Sequence, residues 1–279
     1  MNIKTVNLYE YYGFAAPEGA KGQLTCLADT TSPEVSSSRV RPAVLVLPGG
    51  GYWFTSDREA TPVALRFLAR GYAAFVLRYT CVPQQFPVAL REACMAMRYI
   101  REHAGEFAVD PKMVSAIGFS AGGHLCGTLG TMFDCPEVQD LGPAELLRPD
   151  ALGLCYPVAV SWGKTHDGSF DNLCGTDAAL RRRLSLDALV RPDMPPVFLW
   201  ATRDDGAVPC RNSLILACAM EEAGVDFTFH LYHHGEHGLS LADDTVYGTH
   251  RIPEASPDIA GWPEAMILFF REKGLKAVD

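Results

Sequence analysis

A chain of 279 residues with 48% hydrophobic content can bury a large core, and its length admits one or two domains. Its formal net charge is −9, from 24 basic against 33 acidic residues, and its longest run of Lys or Arg is Arg181-Arg182-Arg183. That balance argues against nucleic acid or an anionic membrane surface as a partner, and reads the arginine triplet as one solvated face.

The opening residues, Met1-Asn2-Ile3-Lys4-Thr5, lack a basic start followed by an apolar stretch and a small-residue cleavage site. No apolar run approaches membrane-spanning length either, so a cytoplasmic protein is expected. Two short β-like runs, near Thr5 to Tyr9 and Gln23 to Ala28, predict an antiparallel edge hairpin, followed by a polar turn from Thr30 to Ser38. From Pro42 the pattern changes to Ala43-Val44-Leu45-Val46-Leu47, a continuous apolar run typical of a strand buried on both faces. It ends in Pro48-Gly49-Gly50-Gly51-Tyr52.

Asp57 to Arg70 then reads as a helix stopped by Gly71, and Ala73 to Tyr79 as another buried strand. Phe86 to Ala104 carries Val88, Ala89, Ala93, Met97 and Ile100 at helical spacing, which also places Met95 and Met97 in helix packing. Asp110-Pro111 opens a turn, Met113 to Phe119 is a strand, and residues 121–132 form the helix behind it. Ala151 to Val160 reads as the next strand, and Ser161 to Pro192 as irregular, with a helical piece around Asp177 to Leu184. Val197 to Thr202 (strand), Arg211 to Ala223 (helix), Phe227 to Tyr232 (strand) and Pro263 to Lys273 (helix) close the chain. The alternation predicts an α/β fold with a mostly parallel sheet covered on both faces. No repeat, low-complexity tract or linker interrupts it, so one domain over 1–279 is expected, with 161–192 as a candidate lid or cap-like insertion.

The nine cysteines are odd in number, form no C-x-x-C pair and lie mostly in apolar segments. They read as reduced, buried thiols.

Chemistry concentrates at Gly118-Phe119-Ser120-Ala121-Gly122, where a strand turns sharply into a helix. Glycines at 118 and 122 remove the clashes that bulky neighbours would make there, so the Ser120 hydroxyl can stand exposed beside a helix N-terminus. A serine hydroxyl is a weak nucleophile until a base takes its proton, and that base needs a carboxylate to hold its tautomer. In a parallel sheet both partners belong at the carboxyl ends of later strands. After Val197 to Thr202 come Asp204 and Asp205; Asp205 is preferred because it precedes a small turn into Val208-Pro209, and Asp204 is the alternative. Whichever is not catalytic is expected to cap or brace the turn.

After Phe227 to Tyr232 comes His233-His234-Gly235-Glu236-His237-Gly238. His237 is the preferred base because it lies between glycines in a loop, whereas His233 and His234 continue directly from the strand. A metal cluster competes for the H-H-x-x-H pattern, but the segment is broken by glycine and is not the helical H-E-x-x-H. No metal and no organic cofactor are expected. The amides of Gly50, Gly51 and Ala121 supply an oxyanion hole. The glycine run is not read as a phosphate loop, since no G-K-[ST] follows it. His124 reads as a packing residue and Trp200 as core, while Tyr52, Trp53 and Trp162 are candidate aromatic faces for a sugar or acyl group.

The order Ser120, Asp205, His237, with glycines upstream, is the α/β-hydrolase order. The motifs P-G-G-G-Y (48–52), G-F-S-A-G-G-H (118–124), P-P-V-F-L-W (195–200), D-D-G-A-V-P (204–209) and H-G-E-H-G-L (234–239) resemble the acetyl-xylan-esterase-like branch of the α/β-hydrolase esterases and lipases. The resemblance runs from about Arg41 onward. Pro48 departs from the histidine that opens H-G-G-G in the hormone-sensitive-lipase-like branch. The resemblance implies that Ser120, Asp205 and His237 form the triad, that Gly50, Gly51 and Ala121 form the oxyanion hole, and that the substrate is a small-molecule ester, an acetylated sugar such as a xylo-oligosaccharide. A broad short-chain carboxylesterase is the alternative within enzymes. A non-catalytic binding module of the same fold is the alternative outside them, and it would show a damaged triad.

Overall fold

The structure is a computed structural model that describes residues 2–29, 32, 34, 38–247 and 255–276. Its strands are β1 (Asn2–Asn7), β2 (Gln23–Ala28), β3 (Arg41–Leu47), β4 (Ala73–Arg78), β5 (Val109–Phe119), β6 (Ala151–Cys155), β7 (Val197–Thr202) and β8 (Phe227–Tyr232). They form one eight-stranded sheet in the order β1-β2-β4-β3-β5-β6-β7-β8. β1 and β2 pair antiparallel, as do β2 and β4, and every other pairing is parallel. This is the mostly parallel sheet that the alternating pattern predicts, with an antiparallel N-terminal edge, and the α/β-hydrolase fold that the resemblance implies.

Continuous apolar runs suit strands packed on both faces. Leu45 and Leu47 of β3 enter one core with Met95, Leu125 and Leu216. Val44 and Val46, one residue out of phase, enter the other with Phe67, Trp200 and Trp262. Helices Val88–Glu102, Ala121–Met132 and Arg211–Glu222 therefore cover the first face, and Thr61–Leu68 and Trp262–Glu272 the second.

Five local expectations are corrected. The strand expected from Met113 already begins at Val109 and runs through Asp110-Pro111, in place of the turn expected there. The first strand is Asn2–Asn7, not Thr5 to Tyr9, because the Asn7 side chain accepts from the Tyr9 and Glu10 amides and starts helix Leu8–Tyr12. The helix expected from Asp57 begins at Thr61, with Pro62 in its first turn. The strand expected through Val160 ends at Cys155. Tyr156 has φ 37°, and the Ala159 and Val160 amides donate to Asn212 Oδ1 at 3.3 and 3.2 Å instead of to a neighbouring strand. Finally, 161–192 is more regular than expected, holding helices Asp167–Cys174, Ala178–Arg183 and Leu186–Leu189. Most of the turn expected over Thr30 to Ser38 lies outside the described residues.

The arginine triplet is not simply solvated. Arg181 pairs with Asp167 and, at 2.9 Å, with Asp171, and Arg183 pairs with Glu137 at 2.5 Å. These contacts tie the segment to itself and to the chain after helix Ala121–Met132. No helix among the described residues is long and apolar enough to cross a membrane.

Candidate active site

The register of the parallel strands brings the loops together. Leu47 pairs with Gly118, so the glycine loop after β3 emerges beside the turn after β5. Phe119 pairs with Cys155, Cys155 with Trp200, and Thr202 with Tyr232, which carries the same edge of the sheet across to the loops after β7 and β8.

Ser120 stands at the apex of the turn with φ 52° and ψ −117°, a left-handed backbone for a non-glycine residue. Its surroundings over-determine it: the Ser120 amide donates to Cys155 O at 3.0 Å, and Ser120 O accepts from Val158 N at 3.1 Å. The flanking glycines are sterically required. A Cβ on Gly118 would lie 2.0 Å from Gly122 O, and one on Gly122 would lie 2.1 Å from Leu47 O.

Ser120 Oγ donates to His237 Nε2 at 2.8 Å, and His237 Nδ1 donates to Asp205 Oδ2 at 2.6 Å. A carboxylate only accepts, so Nδ1 carries the proton and Nε2 is left as the acceptor facing the serine. The Asp205 side chain is almost wholly buried while that of His237 keeps about a fifth of its surface in solvent. Asp205 Oδ1 also accepts from Ala207 N at 2.9 Å and Val208 N at 2.8 Å. One carboxylate thus both braces the turn and holds the imidazole.

Asp204 has a separate assignment. It accepts from Gly235 N at 2.8 Å and from His234 Nδ1, and these bonds hold its carboxyl below the usual range. The histidines of H-H-x-x-H are therefore dispersed: His234 meets Asp204, His237 meets Asp205 and Ser120, and His233 is exposed. Among the described residues no group of three or more His, Cys, Asp or Glu is arranged to hold a metal ion. The loop is anchored by Thr202 Oγ1, which donates to Gly235 O at 2.8 Å, and by the Ser256 amide, which donates to His234 O at 2.8 Å.

The Pro48–Phe54 loop is closed by Trp53 N and Phe54 N, which donate to Gly50 O at 2.9 and 3.2 Å. Gly50 has φ 127°, and a Cβ there would lie 2.2 Å from Phe54 O. The Gly50, Gly51 and Ala121 amides donate to no protein acceptor among the described residues. Gly49 differs, since its amide donates to Glu59 Oε2 at 2.8 Å.

The three aromatic candidates divide. Tyr52 is 3% exposed and its hydroxyl donates to His124 Nδ1 at 2.8 Å, so it offers no face to a substrate. Trp53 and Trp162 are 69% and 49% exposed. His124 is buried, donates from Nε2 to Leu184 O at 2.7 Å, and burial lowers its pKa to about 4. It is a neutral packing residue, as its place on the helix predicts. Trp200 is core, stacked on Trp262.

Sequence reasoning missed Glu59 and Tyr156. Glu59 is buried, its Oε1 accepts from Tyr156 Oη at 2.7 Å, and burial raises its pKa against the opposing bonds from Tyr156 and Gly49. Asp57-Arg58-Glu59 is the charged start of the helix expected over Asp57 to Arg70, and no periodicity marks its last member as buried.

The BD-FAE family model matches residues 28–143. The endo-1,4-beta-xylanase B of Butyrivibrio fibrisolvens is 37% identical over 217 residues, which are 74% of this chain and 34% of that protein. The acetylxylan esterase of Xylanibacter ruminicola is 30% identical over 232 residues, 80% of this chain and 45% of that one. The chain thus spans about a third to a half of the length of these two relatives. Among solved structures, the acetyl ester-xyloside bifunctional hydrolase of Caldicellulosiruptor lactoaceticus superposes with TM-score 0.83 at 34% identity, covering 98% of this chain and 97% of that one. The chain belongs to the α/β-hydrolase esterases, with residues 28–143 matching the BD-FAE family model.

Proposed function

We propose that the protein is a serine carboxylic-ester hydrolase that removes acetyl groups from small acetylated carbohydrates such as xylo-oligosaccharides. The observation that carries the mechanism is the continuous relay from Ser120 Oγ through His237 to Asp205, at 2.8 and 2.6 Å. Ser120 Oγ attacks the ester carbonyl carbon as its proton passes to His237 Nε2. The carbonyl oxygen becomes an oxyanion and accepts from the Gly50, Gly51 and Ala121 amides, which have no competing protein acceptor among the described residues. Asp205 stabilises the imidazolium. The tetrahedral intermediate collapses, the alcohol leaves with the proton from Nε2, and the acyl group stays on Ser120. Water then attacks the acyl-enzyme as His237 takes its proton, and collapse returns that proton to Ser120 as the acid leaves.

The substrate class is supported by the acetylxylan and acetyl-ester relatives and by the exposed rings of Trp53 and Trp162, whose faces suit a sugar. We read 161–192 as a fixed wall more than a moving lid. Asn172 Nδ2 donates to Gly51 O at 2.8 Å, Phe86 N to Leu173 O at 2.9 Å and Leu186 N to Ala159 O at 2.8 Å, so the segment is bonded to the glycine loop and to the body. Acetate release from acetylated xylo-oligosaccharide, measured beside p-nitrophenyl esters of increasing chain length, tests the proposal. Efficient acetate release with activity falling steeply beyond short acyl chains is the expected result. Flat activity on long chains with no release from the oligosaccharide would replace this reading with a broad carboxylesterase.

A further inference from the structure

The buried carboxyl of Glu59 is not used in the reaction just described, yet it touches both halves of the site. Its two oxygens have fixed and different donors: Oε2 accepts from the Gly49 amide at 2.8 Å, and Oε1 accepts from Tyr156 Oη at 2.7 Å. Tyr156 Oη itself accepts from Ser240 N at 2.9 Å, so its own proton is directed to Glu59. Ser240 lies three residues beyond His237, and the Tyr156 ring meets the His237 ring edge-on with centroids 5.1 Å apart. Ser240 is held further by its hydroxyl, which donates to Arg58 O at 2.6 Å, and by its carbonyl, which accepts from Trp262 Nε1 at 2.8 Å.

The path therefore runs from the residue before Gly50, through Glu59 and Tyr156, to the loop that carries His237. It passes close to the nucleophile: the position a Cβ on Gly49 would take lies 2.7 Å from Glu59 Oε2 and 3.0 Å from Ser120 Cβ. Backbone conformation marks Tyr156 and Ser240 of this path as well as Ser120. Tyr52, Ser120, Tyr156 and Ser240 have φ of 56°, 52°, 37° and 52°, four of the six left-handed non-glycine residues in the described chain. Strained conformations persist where neighbouring contacts over-determine them. Here Tyr156 bonds Glu59 directly through its hydroxyl, and Ser240 reaches Glu59 through that same hydroxyl. A carboxyl buried merely to fill space costs desolvation that an apolar side chain would avoid.

We propose that Glu59 is a positioning residue for ester hydrolysis, which sets the oxyanion amides through Gly49 and the His237 imidazole through Tyr156, so that one buried carboxyl registers both to Ser120. The proposal rests on the reading of Ser120 and His237 given above. Glutamine at 59 puts an NH2 where one oxygen accepted, so either Gly49 N–H or Tyr156 O–H faces a donor. Tyr156→Phe removes the link to Ser240 and to Glu59 while keeping the ring against His237.

The test is steady-state hydrolysis of p-nitrophenyl acetate by Glu59→Gln, Tyr156→Phe, the double variant and Ser120→Ala, with thermal unfolding of each. Misplaced catalytic groups lower kcat more than substrate binding, so Glu59→Gln is expected to lose about 10- to 100-fold in kcat with KM changed less than about threefold. Tyr156→Phe is expected to lose kcat in the same sense, and the double variant to be little worse than Glu59→Gln, because the two act as one unit. A Glu59→Gln enzyme with kcat within about twofold of the parent, beside an inactive Ser120→Ala, overturns the positioning role alone. Fully additive losses in the double variant overturn it as well, as does a kcat loss accounted for by the fraction of unfolded protein. Should Glu59→Gln fail to fold, Tyr156→Phe decides by the same twofold criterion. Full turnover by Ser120→Ala overturns the nucleophile reading and the positioning role with it.

Discussion

Asp204 and Asp205 are adjacent carboxylates, each bonded to a histidine of the same loop, and their surroundings assign them different work. Asp205 is buried and holds the ring that faces Ser120, whereas Asp204 is exposed and bonds to Gly235 N and His234. Asp205→Asn is expected to lower kcat by about a thousandfold or more, because an amide at Oδ2 favours the wrong imidazole tautomer. Asp204→Asn keeps an oxygen for Gly235 N and is expected to cost about tenfold or less. Initial rates on p-nitrophenyl acetate separate the two. The glycines of the loop after β3 differ in the same local way. Gly50→Ala drives a Cβ into Phe54 O, while Gly51→Ala, at φ 64°, meets nothing closer than His166 Cε1 at 3.6 Å. The first should abolish activity; the second, with a left-handed cost of about 1–2 kcal/mol, should leave a folded enzyme measurable by circular dichroism and turnover.

At the scale of elements, helix Ala121–Met132 is buried along its whole length, and His124 lies in its first turn. Burial pulls the His124 pKa below its ordinary 6.5 to about 4, so the unfolded chain takes the proton first. The stability this neutral ring contributes is present above the unfolded value and is lost as pH falls through about 4. Urea unfolding between about pH 7.5 and about pH 4.5 should therefore show stability declining by up to about 3 kcal/mol from this group, and His124→Gln should flatten that decline. A second element-scale effect ties 161–192 to the body. Arg183 depresses the Glu137 carboxyl to about 2, so this pair's contribution is lost as pH falls from the ordinary carboxylate range through that value. The pair is partly exposed and screened by solvent, so Glu137→Gln is expected to cost only about 0.5 kcal/mol at neutral pH, readable as a small drop in urea midpoint. The elements themselves are legible where local signals agree. Gln23–Ala28, Val197–Thr202 and Phe227–Tyr232 begin and end where composition places them. β6 stops early for a reason no window of sequence contains, since Asn212, more than fifty residues on, captures the amides of Ala159 and Val160.

Across the whole molecule, the site collects at one edge of the sheet from the loops after β3, β5, β7 and β8. Parallel strands require crossovers, so their carboxyl ends share an edge, and the alternation of strand and helix alone brings residues far apart in sequence to that edge. That rule makes Ser120, Asp205, His237 and the glycine loop legible. It does not reach Glu59, Tyr156 or Ser240, because their roles depend on which buried polar groups meet across the sheet. Nor does it reach Tyr52, whose aromatic character suits a sugar and whose burial denies one. Turnover of p-nitrophenyl acetate by purified, folded Ser120→Ala tests whether Ser120 is the nucleophile activated by His237. A fall in kcat on the order of a thousandfold or more is expected; turnover equal to that of the parent protein would contradict this role for Ser120.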